Sequence, residues 1–180
     1  LHGSHQVDNA SIALAAVEAF FDRGIDEELI RQGFGSVNVP GRFEIVHREP
    51  KIVLDAAHNL DGARVCRATL NEEFTLLGSL VVVAGFLNGR EPAEMLEALG
   101  AAEAGFLIAC TPDSPRAIPA PVVAAAADSL GIVAESVPDV ENALARALAL
   151  AGPDDLILVT GSLYVVGPAR TYLRTEILAQ

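Results

Sequence analysis

The stretch Ile52-Val53-Leu54-Asp55-Ala56-Ala57-His58-Asn59 decides how this chain folds. Its apolar residues predict a buried strand over Lys51–Asp55, and the polar residues that follow predict a turn into a helix. A strand that passes directly into a helix is typical of βαβ units, in which crossover helices join parallel strands. The stretch therefore predicts an α/β fold.

The same alternation of short apolar runs and amphipathic segments continues beyond this stretch. We expect strands near Phe43–His47, Lys51–Asp55, Leu80–Gly85, Phe106–Cys110, Ile132–Glu135 and Leu156–Thr160. We expect helices near Leu60–Phe74, Glu91–Leu99, Pro119–Leu130, Val140–Ala151 and Val165–Leu178. This order predicts a doubly wound, mostly parallel sheet with helices on both faces. Ligands of such sheets bind beyond the carboxyl ends of the strands, so residues that directly follow strands are the candidates for a site.

A short helical segment precedes the predicted sheet. Asp8 is expected to cap a first helix that ends at Gly24, and Asp26 to open a second helix that reaches Phe34. The segment Gly35-Ser36-Val37-Asn38-Val39-Pro40-Gly41 contains helix breakers and no hydrophobic period. We therefore place a domain boundary there.

Composition restricts the classes of function. The 180 residues, 51% of them hydrophobic, are enough for one sizeable core with a short appendage. The net charge of −12 argues against a nucleic-acid or anionic-membrane surface, and no apolar run approaches the roughly 20 residues that span a bilayer. Cys66 and Cys110 are isolated, which argues against a disulfide framework or a structural zinc site and favours a reducing cytoplasm.

Polar residues with useful chemistry cluster after the Lys51–Asp55 strand. A carboxylate at Asp55 can accept from ribose hydroxyls or an ammonium group, and an imidazole at His58 can reach a carboxylate or phosphate. The alternative stays open that Asp55 and Asn59 only cap the following helix and that His58 is an ordinary loop residue. Arg42 stands beside the boundary and can bind phosphates bidentately, or it can be a surface arginine paired with an acidic side chain.

Five blocks of the sequence resemble folylpolyglutamate synthases and the bifunctional dihydrofolate synthases of the Mur-ligase superfamily. In chain order they are Leu1-His2-Gly3-Ser4-His5-Gln6-Val7-Asp8-Asn9-Ala10, Pro40-Gly41-Arg42, Leu54-Asp55-Ala56-Ala57-His58-Asn59, Ser114-Pro115-Arg116-Ala117 and Thr160-Gly161-Ser162-Leu163-Tyr164-Val165-Val166-Gly167. Together they extend over nearly the whole chain. The resemblance implies that residues 1–39 are the helical end of the family's central ATPase domain. It also implies that residues 40–180 are the Mur-ligase-type C-terminal Rossmann-like domain.

The resemblance also assigns roles to five residues of this chain. It implies that Asn9 binds the adenine, Arg42 the ATP phosphates, and Asp55 the ribose or the edge of the nucleotide. It places His58, which is also the candidate catalytic residue, in the glutamate site with Ser162. For Ser162 a plain strand-to-helix turn with this residue as the N-cap stays open.

In the intact family enzyme, ATP activates the γ-carboxylate of a folate and glutamate is then joined to it. The resemblance therefore implies ATP, Mg²⁺, glutamate and a folate as ligands, a missing N-terminal ATPase domain as partner, and a monomer. No G-x-x-x-x-G-K-[ST] motif occurs in the chain, so we expect the metal ligands on the missing part and no activity from this chain alone. The family commonly shows an Asp-Lys-Asp element where this chain has Phe86-Leu87-Asn88-Gly89-Arg90-Glu91, which leaves the role of that loop open.

Two other functions remain alternatives. Another Mur-type amino-acid ligase would share the Asp-x-x-His-Asn pattern after a strand, and a non-catalytic module that binds a ligand or partner would share the fold. A nicotinamide-dependent oxidoreductase is disfavoured because no predicted strand is followed by G-x-G-x-x-G.

Overall fold

The computed structural model describes residues 2–75 and 78–177 and contains one six-stranded sheet. The strands are β1 Glu44–Arg48, β2 Lys51–Asp55, β3 Leu80–Ala84, β4 Phe106–Cys110, β5 Ala134–Val137 and β6 Leu156–Thr160. The helices are α1 His5–Phe21, α2 Glu27–Ser36, α3 Leu60–Glu73, α4 Pro92–Ala98, α5 Ala120–Ser129, α6 Val140–Leu150 and α7 Leu163–Tyr172. A short 3₁₀ helix spans Ala101–Glu103, and a π-helical turn, Leu173–Ile177, follows α7.

The order of the strands in the sheet is β1-β2-β6-β3-β4-β5. Strand β1 is antiparallel to β2, and the other neighbouring strands are parallel. Helices α3, α4 and α5 pack on one face, and α6 and α7 pack on the other. The mostly parallel α/β fold predicted from the sequence is confirmed, with helices on both faces and two further helices at the N-terminus.

Two apolar layers hold the sheet between its helices. Along β2, Val53 packs into one layer while Ile52 and Leu54 pack into the other, because successive strand residues point to opposite faces. All residues of β6 are buried, as expected for a strand in the middle of the sheet. Each fully buried aliphatic side chain contributes about 1.5–3 kcal/mol, so the layers fix β6 and its neighbours firmly.

Several predicted boundaries shift by a few residues. Strand β5 occupies Ala134–Val137 rather than Ile132–Glu135. Helix α7 begins at Leu163 rather than Val165, so Ser162 occupies its N-cap position. The predicted end of that helix, Leu178, lies outside the described residues.

The prediction that Asp8 caps the first helix is wrong. Helix α1 begins at His5, with Ser4 in the N-cap position and Asp8 in the first turn. Gly3 adopts a φ of 91°, which is not helical, so the helix does not extend further towards the N-terminus. The helix ends at Phe21 rather than Gly24. Asp26 does cap α2, since its side chain accepts a hydrogen bond from the Glu28 amide.

Helix α1 differs from the sheet helices because none of its residues is buried. Its apolar residues Ile12 and Phe20 are 70% and 82% exposed. Among the described residues, no helix combines the length and the apolar character that crossing a membrane requires.

Candidate functional site

The loops that follow β2, β6 and β3 meet at one edge of the sheet. Thr160, the last residue of β6, pairs with Asp55 of β2 on one side and with Ala84 of β3 on the other. The helix that follows β6 lies on the opposite face from the helices that follow β2 and β3. Neighbouring strands whose connections leave to opposite faces create a crevice at their carboxyl ends, where ligands of α/β sheets bind. The candidate site therefore lies on both sides of the β6 terminus.

Asp55 connects the start of β1 to the end of β2. One carboxylate oxygen accepts a hydrogen bond from the Phe43 amide and the other from the Ala57 amide, both at 2.9 Å. Phe43 itself has a positive φ of 47°, a conformation that is unfavourable for a bulky residue. The Asp55 carboxylate therefore helps to hold a strained turn, which a helix cap at this position would not do.

Burial raises the pKa of the Asp55 carboxyl above its ordinary value. The two backbone hydrogen bonds and the electrostatic influence of Arg42 and His5 act in the opposite direction. Burial also raises the pKa of the Cys66 thiol well above its ordinary range, and the neighbouring Asp55 carboxylate adds to that shift. Arg42 thus supplies positive charge close to a partly desolvated carboxylate.

The turn between β2 and α3 fixes the orientation of His58. Its Nδ1 lies 3.0 Å from the Ala56 carbonyl oxygen. Because a carbonyl oxygen only accepts, Nδ1 must carry the proton, which leaves Nε2 available to a ligand. Asn59 caps α3 by accepting from the Gly62 amide at 2.7 Å, and Arg90 Nε donates to the His58 carbonyl oxygen at 2.7 Å. Arg90 thereby ties the β3–α4 loop to this turn.

Four of the five predicted site residues line one cavity of about 540 Å³. They are Asn9 on α1, Arg42 before β1, Asp55 at the end of β2, and His58 in the following turn. Helix α1 is held beside α3 by hydrogen bonds from Ser4 to Glu72 and by contact between His2 and Glu73. Within residues 2–75 and 78–177, the Arg42 side chain forms no salt bridge with a carboxylate. Its positive charge is therefore available to a ligand in the cavity that it lines.

Ser162 lies at the same edge of the sheet but does not line that cavity. Its side chain is 2% exposed, and its Oγ has no hydrogen-bond partner among the described residues. Thr160 Oγ1 is also buried without a partner there. Although Ser162 occupies the N-cap position of α7, its hydroxyl does not cap the helix. Helix capping therefore does not explain the buried Ser162 hydroxyl.

Gly161 brings this turn against the next strand. It adopts φ of 106°, and a Cβ at this position would lie 2.4 Å from the Gly85 carbonyl oxygen. Only glycine combines that conformation with so close an approach. The turn after β6 is therefore packed against the end of β3, with the buried hydroxyls of Thr160 and Ser162 beside it.

The structure adds residues that the motifs did not single out. His5, Gln6 and Asp61 line the cavity with the four predicted residues. His5 and Gln6 precede Asn9 by four and three positions, so their shared face follows from the helical repeat once α1 is known to begin at His5. Within the part of the chain that the structure describes, no group of three histidine, cysteine or carboxylate side chains lies close enough to hold a metal ion.

Comparison with known proteins identifies relatives that match nearly the whole chain. Residues 41–163 match the family model described as Mur ligase, glutamate ligase domain. The chain is 39% identical over 172 residues to a probable bifunctional folylpolyglutamate synthase/dihydropteroate synthase of Halobacterium salinarum, covering 95% of this chain and 20% of that protein. It is 35% identical over 190 residues to a dihydrofolate synthase/folylpolyglutamate synthase of Mycobacterium tuberculosis, covering 95% of this chain and 39% of that protein. The chain thus spans less than half of either relative.

Solved structures agree with the fold. The M. tuberculosis folylpolyglutamate synthase complexed with ADP matches with a TM-score of 0.87 at 34% identity, over 95% of this chain and 40% of that one. A bifunctional folylpolyglutamate synthase/dihydrofolate synthase with Mn, AMPPNP and L-glutamate bound matches with a TM-score of 0.79 at 28% identity, over 89% of this chain and 38% of that one.

Proposed function

Because the chain belongs to the Mur ligase, glutamate ligase domain family, we propose that it is the C-terminal portion of an ATP-dependent ligase that adds glutamate to the γ-carboxylate of folates. The observation that carries this proposal is the convergence of Asn9, Arg42, Asp55 and His58 on one cavity. In this proposal residues 1–39 end a central ATPase domain, and residues 40–180 form the domain that closes on it.

The composition of the cavity fits an adenine nucleotide. Its volume of about 540 Å³ is within the range of small-molecule sites. The Asn9 carboxamide both donates and accepts, as recognition of an adenine edge requires. The Arg42 guanidinium, which has no carboxylate partner among the described residues, suits phosphate oxygens. Each Asp55 oxygen accepts one backbone hydrogen bond and keeps acceptor capacity for ribose hydroxyls.

We assign the glutamate to the two sides of the β2–β6 crevice. His58 would accept at Nε2 from the glutamate ammonium group, and Ser162 would donate to a glutamate carboxylate from the buried hydroxyl that has no partner among the described residues. Bound ATP would supply the phosphoryl group that activates the folate carboxylate for attack by the glutamate amine. This chain's residues would hold and orient the reactants while domain closure excludes water.

The surface of the N-terminal helices supports a two-domain arrangement. Helix α1 buries none of its residues against the sheet domain, although Ile12, Val17 and Phe20 share one side of it at helical spacing. A large exposed apolar face marks an interaction site. We propose that an upstream ATPase domain covers this face and supplies the phosphate loop and metal ligands.

Titration of the purified chain with Mg-ATP tests the proposal. Hydrogen bonds from Asn9 and Asp55 contribute about 1 kcal/mol each, which does not offset the freedom lost on association. We therefore expect a dissociation constant for Mg-ATP above about 1 mM. Arg42→Ala should raise this constant further, whereas Arg23→Ala should not. We also expect this chain to release no ADP when folate and glutamate are added. Micromolar affinity or steady turnover by this chain would contradict the assignment of the phosphate loop to an upstream domain.

The upstream reading frame gives an independent test of the activity. If it encodes a glycine-rich phosphate loop, the polypeptide that includes it should ligate glutamate in an ATP-dependent manner. If it encodes an unrelated domain, the ligase proposal fails and the non-catalytic module remains.

A further inference from the structure

A second cavity, of about 600 Å³, lies beside the outer edge of β1. We call it the β1 groove. It is lined by the 35–39 segment, by residues 42–48 and Lys51, and by His2 and Phe74. Arg42 and Val39 line both the β1 groove and the candidate nucleotide cavity, so the two spaces adjoin at Arg42. A ligand in the β1 groove could therefore reach the reacting centre.

The β1 groove is cationic in a strongly acidic chain. Arg42, Arg48 and Lys51 line it, and none of them has a carboxylate partner within the described residues, although the chain carries 24 acidic side chains. Five arginines elsewhere have such partners, namely Arg31, Arg64, Arg67, Arg146 and Arg170, whereas the other unpaired arginines of the described residues are not gathered in one cavity with a lysine. The one acidic residue that lines the groove, Glu44, is neutralised by Arg170. The groove therefore favours an anionic ligand.

The backbone of β1 adds a second feature. This strand is at the end of the sheet and, among the strands that the structure describes, pairs only with β2. Residues 35–39, which also line the groove, make no backbone hydrogen bond to this strand in the described part of the chain. Unpaired edge groups can bond to the amides of an extended ligand. From Glu44 to Arg48 the edge extends about 13 Å, at roughly 3.3 Å per residue.

We propose that the β1 groove binds the γ-linked oligoglutamate tail of the folate substrate, an inference that rests on the proposed ligase function. Such a tail combines amide groups, which suit the edge of β1, with one carboxylate per unit, which suits Arg48 and Lys51. Its reacting end would lie towards Arg42, where the groove meets the nucleotide cavity.

The linkage of the tail is part of the inference. In an α-linked peptide strand, successive side chains point to opposite faces, so only every second carboxylate faces the groove. In a γ-linked chain each α-carboxylate is attached directly to the backbone and can turn towards the cations. The groove should therefore prefer γ-linked over α-linked oligoglutamate of the same charge.

Titration of this chain with γ-linked pentaglutamate at low ionic strength tests the proposal, followed by calorimetry or amide chemical shifts. Binding is expected with a dissociation constant below about 1 mM, and free glutamate should bind at least tenfold more weakly because it spans one charge contact. Arg48→Gln combined with Lys51→Gln should weaken pentaglutamate binding by about tenfold. Arg23→Gln with Arg146→Gln removes the same charge away from the groove, since Arg146 pairs with Glu135 at the opposite end of the sheet, and should change it less than twofold.

Absence of pentaglutamate binding would overturn the proposal. So would equal binding of α-linked pentaglutamate, which would indicate a general site for acidic peptides, or equal loss in both double variants, which would indicate nonspecific attraction.

ADP titration of the same variants keeps the two proposals apart. If ADP shifts Asn9 and Ala57 amides equally in all variants while pentaglutamate does not bind, the tail site fails and the nucleotide site stands. If pentaglutamate binds as expected while the polypeptide that includes the upstream domain shows no ATP-dependent ligation of glutamate, the proposed ligase function fails instead.

Discussion

The turns after β2 and β6 end at the same edge of the sheet but use their polar groups differently. After β2, Asp55 accepts from Phe43 and Ala57, and Asn59 accepts from Gly62. After β6, the hydroxyls of Thr160 and Ser162 are buried without partners among the described residues. The first turn is therefore held by its own side chains, whereas the second keeps buried polar groups that a ligand could satisfy.

The largest effect on stability is expected from Asp55→Ala. The substitution leaves the Phe43 and Ala57 amides without their acceptors in a partly buried turn, and each lost acceptor costs about 1–3 kcal/mol. We expect the free energy of unfolding to fall by about 2–4 kcal/mol, measured by urea denaturation. Asp61→Ala is the matched control, because Asp61 is an exposed acid of the same cavity and should change stability by less than about 0.5 kcal/mol. Equal effects would show that Asp55 does not hold the turn.

Arg42, which precedes β1, and Ser162, in the turn after β6, should separate the two substrates in the ligase polypeptide. Arg42→Ala should raise the KM for ATP, and Ser162→Ala should raise the KM for glutamate, each by about tenfold to a hundredfold, as expected for a hydrogen bond to a charged group. Steady-state kinetics with each substrate varied in turn measures this. Equal losses for both substrates in both variants would mean that the mutations act through domain closure instead.

The pH dependence of stability should report the burial of Asp55. Its pKa is raised on folding, so the folded chain binds this proton more tightly than the unfolded chain. The resulting contribution to stability is present below the unfolded pKa of 3.8 and is lost as pH rises towards the folded pKa. Asp55→Asn should remove that loss. The free energy of unfolding of this variant, relative to that of the unmodified chain, should therefore rise as pH increases above 3.8. A constant difference across this window would contradict the role of burial.

Parts of this comparison were predictable from sequence and parts were not. The polar run after Leu54 and the Gly161-Ser162 pair identify both turns, because strands and helices follow from hydrophobic periodicity. Periodicity does not reveal long-range hydrogen bonds, so the Phe43 amide as a partner of Asp55 and the link from Arg90 to His58 appear only in the structure. The start of α1 at His5 was missed because Asp8 is also a good capping residue.

A smaller effect is expected at the cap of α3. Asn59→Ala removes the acceptor for the Gly62 amide and should lower the free energy of unfolding by about 1 kcal/mol. Asp139, which caps α6 by accepting from Asn142, is the matched control, and Asp139→Ala should lower stability to a similar extent. In the ligase polypeptide only Asn59→Ala should raise substrate KM values, because α3 begins beside His58. A matching kinetic loss in Asp139→Ala would show that the loss reports stability alone.

The smallest effect on stability is expected at the turn after β6. Ser162→Ala removes a buried hydroxyl that has no partner in the described part of the chain, so no hydrogen bond is lost and a desolvation cost is relieved. We expect the ligand-free chain to be unchanged or more stable by up to about 1 kcal/mol. Thr160→Val tests the second hydroxyl in the same way, and Thr69→Val is the contrast, because the buried Thr69 hydroxyl donates to the Val65 carbonyl. Thr69→Val should cost about 1 kcal/mol. Destabilisation by Ser162→Ala of 1 kcal/mol or more would show that its hydroxyl is satisfied without a ligand, and the contrast between the two turns would fail.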